Sequence, residues 1–155
     1  MRLLYRLNGL LVLVGGIGGM NVASAITFNI VTIDVPGSTS TTAIGINNAG
    51  QIVGSYVSGG QTHGLVYANG TFATLDVPGS TSTQVTSINN VGQIVGFYTD
   101  AAGSHVFLDT NGAFSTLNIP ASDSSSPAAD EPNNQVAINA VGQIFGTTSG
   151  TRGFL

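Results

Sequence analysis

Two histidines, His63 and His105, stand 42 residues apart in similar settings, "THGLVYANGTF" and "SHVFLDTNGAF". Imidazole is the side chain best suited to proton transfer near neutral pH and is the commonest metal ligand. Two of them at equivalent places in a repeat could approach a common axis and share a cation. The third copy reads "TRGFL", so Arg152 stands where a third imidazole would be, and a guanidinium offers no lone pair to a metal. The carboxylates follow the same course. Asp34 and Asp76 occupy equivalent places, but Asn118 takes the third, and an Asp at a strand end serves most simply to cap a turn. Asparagine alone persists: Asn47, Asn89 and Asn139 recur in "GINNAGQIVG", "SINNVGQIVG" and "AINAVGQIFG". Their carboxamides could ligate a cation or a glycan, or they could satisfy the backbone of a tight turn. The next Asn is lost in the third copy, where Ala140 replaces it, and this favours the turn. Ser, His and Asp are present without a G-x-S-x-G elbow, and there is no H-E-x-x-H. No residue is assigned a catalytic, cofactor-binding or metal-binding role. His63 and His105 stay as ligand candidates, with a structural role for a half-buried imidazole as the simpler reading. Asn47, Gly50, Asn89, Gly92, Asn139 and Gly142 are assigned to structural turns.

The elements that must hold these residues are short strands. The central glycines Gly50, Gly92 and Gly142 are spaced by 42 and 50 residues, whereas "DVPGSTST", its second copy and the degraded "NIPASDSS" are spaced by 42 each time. The extra residues of the third period therefore fall in a polar insertion at 121–134, where a loop tolerates them. Each period holds four strand-like runs: "TAIGIN" (42–47), "QIVGSYV" (51–57), "HGLVY" (63–67) and "TFATLDV" (71–77) in the first. We designate them a, b, c and d. Asn48-Ala49-Gly50 suits a three-residue hairpin loop with Gly50 at positive φ, and Asn69-Gly70 and Asn111-Gly112 suit two-residue hairpins. Val-Pro-Gly ends run d, because Pro donates nothing to a ladder. Ile46, Ile88 and Ile138 share one position, and the residue before each is small (Gly45, Ser87, Ala137). One face is thus bulky and the other allows a neighbouring sheet to approach.

Four antiparallel strands in this length make one propeller blade. The expected fold is all-β, with tandem four-stranded antiparallel blades, propeller-like, in three units of about 36–77, 78–119 and 120–155. Three blades are fewer than a closed ring needs, so an incomplete or open arrangement is expected, either as a fragment of a longer propeller or as a self-associating unit. A leading run at 26–35 could serve as the d strand missing from the last unit. A β-solenoid is the alternative, disfavoured by the hairpins. A Greek-key sandwich does not account for a strict repeat.

The N-terminal "MRLLYRLNGLLVLVGGIGGMNVASA" has a basic start, an uncharged middle and Ala23-Ser24-Ala25 at its end. It reads as a signal peptide, residues 1–25, cleaved before Ile26. An uncleaved membrane anchor is the competing reading, weakened by Gly15, Gly16, Gly18 and Gly19. Beyond the signal lie one Arg and seven acids. Nucleic acid, which selects clustered basic residues, is excluded as a partner, and so is a membrane once the signal is removed. Charged residues are only 6% of the chain and there is no Cys, so neither a disulfide framework nor a thiolate metal site exists.

At the repeated decamers and "DVPGSTST", the sequence resembles the bacterial extracellular HAF-repeat family. Its tandem units look like "GTFTTIDVPGATSTTAxGINNxGQIVGxYxDxxGxxHGFLY". The resemblance covers nearly all of the chain after the signal. It departs in the third unit at Ala140, at the 121–134 insertion and at Arg152. It implies export and a repeat architecture, and it transfers no active site. The expected function is that of a secreted, non-enzymatic binding or surface module, without cofactor, whose unknown ligand is a carbohydrate or a protein. A secreted carbohydrate-active propeller enzyme, hydrolase or lyase, is the alternative.

Overall fold

A computed structural model describes residues 30–118 and 135–148, together with the backbone of strand residues 6–7, 10–11 and 152–154. The expected signal segment is otherwise outside the described residues, and so is the polar insertion at 121–134. Two units separate at Ile33/Asp34. The first contains β1 (Arg6–Leu7) paired antiparallel with β2 (Leu10–Leu11).

The second unit is all-β. Its first sheet is β3 (Ser40–Ile46), β4 (Ile52–Ser58), β5 (Gln61–Ala68) and β6 (Thr71–Leu75). The second is β7 (Ser82–Ile88), β8 (Ile94–Asp100), β9 (Gly103–Thr110) and β10 (Ala113–Leu117). The third is β11 (Val136–Ile138), β12 (Ile144–Thr148) and β13 (Arg152–Phe154). Strands neighbour one another in chain order and every pair is antiparallel. These are up-and-down blades, the first two carrying runs a to d and the third runs a to c, in sequence order. A solenoid would stack its coils in parallel, and no pairing of that kind occurs among the described residues.

Residues 30–35, six of the ten in the proposed leading d run, take no strand conformation. The third sheet ends at β13 with no fourth strand among the described residues, so the expected closing of the last unit by this run is not seen there. Val35 begins a Pro-Gly turn instead. The Ser38 N–H donates to the Val35 carbonyl and the Val35 N–H to Thr41 Oγ1, and Val77, Ser80 and Thr83 repeat both bonds. Gly37 and Gly79 supply the positive φ of a type II turn. "VPGSTST" is therefore a complete connector, with a Thr hydroxyl holding the amide of the turn's first residue.

The decamer is a hairpin closed between Asn47 and Gln51. The Gly50 N–H donates to the Asn47 carbonyl at 3.0 Å, and Gly50 adopts φ 75°. Gly92 and Gly142 do the same at 84° and 85°, a region that L side chains avoid. Asn69-Gly70 and Asn111-Gly112 have positive φ at both positions, as a type I′ turn requires. Strand a contains a bulge between Ala43 and Gly45, repeated between Val85 and Ser87.

The core lies between blades. Val53, Val66 and Leu75 of the first blade pack against Val85, Ile88, Ile94, Tyr98 and Phe107 of the second. Val95, Phe97 and Val106 of the second pack against Val136 and Ile138 of the third. Alternate strand residues face opposite ways, so each inner blade presents a front to its successor and a back to its predecessor. Full burial of each such side chain contributes about 1.5–3 kcal/mol. A single sheet would leave both faces wet, and stacking is what makes the units stable.

Candidate functional site

The recurring asparagine is built into the joint. Asn47 Oδ1 accepts from the N–H groups of Ala49 (3.0 Å) and Gln51 (3.1 Å). Its Nδ2 donates to Gln51 Oε1 (2.8 Å) and, across the joint, to the Asn89 carbonyl (3.2 Å). Asn89 repeats the set with Val91, Gln93 and the Asn139 carbonyl. A carboxamide has two donor hydrogens and two acceptor lone pairs, and at Asn47 and Asn89 all four are occupied. Nothing is left over for a cation or a glycan. Asn139 makes the three bonds within its own turn. The second Asn has a smaller part, since Asn90 Oδ1 accepts from the Asn48 N–H across the first joint. Ala140 cannot supply that bond at the second joint. The signal for this ladder was the Gln at a fixed distance of four from each Asn. Its interblade half has no local signature.

The histidines are drawn into separate pairs. His63 Nδ1 lies 2.8 Å from Asp76 Oδ2, while Asp76 Oδ1 accepts the Gly64 N–H. The ring stacks on Tyr56 at 5.1 Å, and the Tyr56 hydroxyl bonds Thr74 Oγ1. In the second blade Asn118 replaces the carboxylate. His105 keeps its tyrosine, Tyr98 at 4.9 Å, but turns Nε2 to Asp100 Oδ1 at 3.1 Å in the b–c hairpin. The Ala102 N–H, donating to Asp100, holds that carboxyl below its usual range. Slight desolvation opposes this and His105 adds to it. Each imidazole is thus oriented by one carboxylate within its own blade. An oriented imidazole can move a proton only when a nucleophile or substrate group lies within hydrogen-bond reach. Among the described residues no Ser or Thr hydroxyl bonds either ring, and no three His, Asp or Glu side chains gather as a metal group.

A groove of about 180 Å³ opens beside the first joint. Ser40, Thr42, Ser55 and Thr62 line it with Ile44, and Gln84 enters from the second blade. Ile44 is the residue at the bulge. The lining carries no charge, and its hydroxyl and amide groups share it with Ile44, Tyr56 and Val57. Ser55 also has a structural bond, accepting the Val85 N–H across the joint at 3.2 Å.

Asp109, which no sequence pattern marked, stands in β9 where the first blade has Tyr67. It is buried, and its Oδ1 has no partner among the described residues. Desolvation pushes its carboxyl up from the usual value, and the Gly112 N–H offsets part of this. With the folded pKa above the unfolded one, the native state holds the extra proton. The resulting stability is present below the unfolded pKa and is lost as pH rises through the folded value. Asp109→Asn, which keeps the polar atoms but removes the desolvated charge, is therefore expected to stabilise the chain at pH 7 by about 1 kcal/mol, the lower end of the penalty for burying such a group. The gain should shrink as pH falls toward the carboxylate range. Denaturant midpoints of both proteins across pH check this; an equal gain at every pH would remove the charge from the explanation.

Comparison of the chain with protein-family models, with curated proteins and with solved structures gave no match.

Proposed function

We propose that the chain is an exported, non-enzymatic repeat module of the HAF type that binds a neutral ligand in the groove at its first blade joint. The groove carries the reading: its hydroxyls and the Gln84 amide offer donors and acceptors without charge, and protein–glycan recognition uses such groups. The resemblance of the decamers to HAF repeats and the signal-like first 25 residues support export. The repeated polar residues support the non-enzymatic part, since Asn47 and Asn89 serve the joint and each His is held by its own carboxylate.

The test is a glycan array probed with the chain as the cell processes it, with N-terminal sequencing of the exported protein alongside. The expected protein begins at Ile26 and retains at least one neutral glycan. Gln84→Ala should weaken that binding about tenfold, the loss of one neutral hydrogen bond. Retention of no neutral glycan overturns the groove as the site. Release of new reducing ends from a bound glycan would instead make the chain a hydrolase or lyase.

A further inference from the structure

Among the described residues, the outer faces of the first and third blades expose positions that the joints within the stack bury. Within the chain, a blade front closes over the back of the next blade. Val53 and Val95, the front residues of β4 and β8, are 0% exposed, while their equivalent Phe145 in β12 is 52% exposed. On the backs, Ile88 and Ile138 are 8% and 7% exposed, while their equivalent Ile46 is 67% exposed. Ala43, equivalent to the fully buried Val85, is exposed as well. The hydrogen-bond ladder is unfinished at the same two places. Among the described residues no carbonyl takes the second Nδ2 hydrogen of exposed Asn139, whereas Asn47 and Asn89 each give theirs to the next blade. At the other end the Asn47 carbonyl accepts, among the described residues, only the Gly50 N–H, whereas the Asn89 carbonyl accepts both Gly92 N–H and Asn47 Nδ2.

We infer that a second copy of this chain docks head to tail, its first-blade back on the third-blade front, with Phe145 against Ile46 and Asn139 Nδ2 on the Asn47 carbonyl. The occupant follows from continuity with the joints already formed. The open front offers Phe145 where Val53 and Val95 stand, and the open back offers Ile46 where Ile88 and Ile138 stand. Such a contact uses different surfaces on the two partners, so it closes only as a ring or continues as a filament. Two copies of three blades would make six, within the range of closed propellers. This inference is independent of any ligand in the groove, and a failed glycan array leaves it standing.

The experiment is sedimentation of the processed chain from roughly 0.1 to 100 µM, a range that brackets standard interfaces. Wild-type chain is expected to associate. Ile46→Asp and Phe145→Arg, both at exposed positions, should each weaken association at least roughly 100-fold, as an unpaired charge in a closed joint does. Circular dichroism melts confirm that each variant is folded; if either is not, Ile46→Ser or Phe145→Ser takes its place. Mixing the two charged variants should restore pairing, because one joint is then wild type and the other opposes carboxylate to guanidinium. A wild-type monomer throughout the range overturns the inference, including one in which Ile46 is covered by the chain's own N-terminal segment. Loss with the Ile46 variant alone also overturns it, since it indicates a back-to-back contact.

Discussion

Asn89→Ala is expected to lower stability by about 2–4 kcal/mol, seen as a lower denaturant midpoint with unchanged slope. The side chain is 4% exposed and joins two blades. Its removal strands the Val91 and Gln93 N–H groups, Gln93 Oε1 and the interblade bond to Asn139 together. Asn89→Asp separates the two halves of the role. It keeps the oxygen that accepts both backbone N–H groups, but it sets a carboxylate against Gln93 Oε1 and the Asn139 carbonyl, so it should do at least as much damage. Asn139→Ala is the control. That side chain makes the same turn bonds at an exposed site, where water can replace them, and about 1 kcal/mol or less is expected. Equal losses at 89 and 139 would mean that the bond across the joint contributes nothing.

Gly96→Ala should be as costly, about 3 kcal/mol, at the upper end of overpacking penalties. Gly96 has no positive φ, so the reason is space. A Cβ there would overlap the Gln84 carbonyl oxygen and come within 2.9 Å of Phe107 Cε1 and Val85 Cα. The bulge between Val85 and Ser87 sits opposite and brings strand a over strand b. Gly54 faces the Thr42 carbonyl in the same way. The glycine closing "GQIVG" is therefore the partner of a bulge, and the one opening it belongs to the turn. Gly112→Ala gives the contrast. It meets nothing within 4 Å and has φ 84°, so only backbone strain opposes it, about 1 kcal/mol. A Gly96→Ala midpoint no lower than that of Gly112→Ala would refute the close approach.

What could be read from the sequence was whatever chemistry acts within a few residues. Asn69-Gly70, Asn111-Gly112 and Gly50 encode their turns locally, and β3 to β10 follow the four runs to within two residues at each end. Small Gly45 and Ser87 beside Ile46 and Ile88 announced a sheet packed on a sheet. The missed features depend on distance in the chain. The bulges at Ala43/Gly45 and Val85/Ser87 leave no mark in apolar alternation. Asp76 and His63 were both singled out, but their pairing depends on β5 and β6 lying side by side. His105 turns to Asp100 because its neighbouring strand lacks that carboxylate. Asp109 looked like any polar strand residue, and its burial depends on how β9 is packed. The run at 30–35 had strand composition but has no paired neighbour among the described residues.

The ladder can be observed directly through side-chain carboxamide hydrogen exchange by NMR. If blades are joined through their asparagines, the Nδ2 protons of Asn47 and Asn89 exchange far more slowly than those of Asn139, whose turn bonds are the same but whose joint is open. Saturating self-association should then slow Asn139 as well. Exchange of Asn47 and Asn89 at the rate of dilute Asn139 would contradict the account.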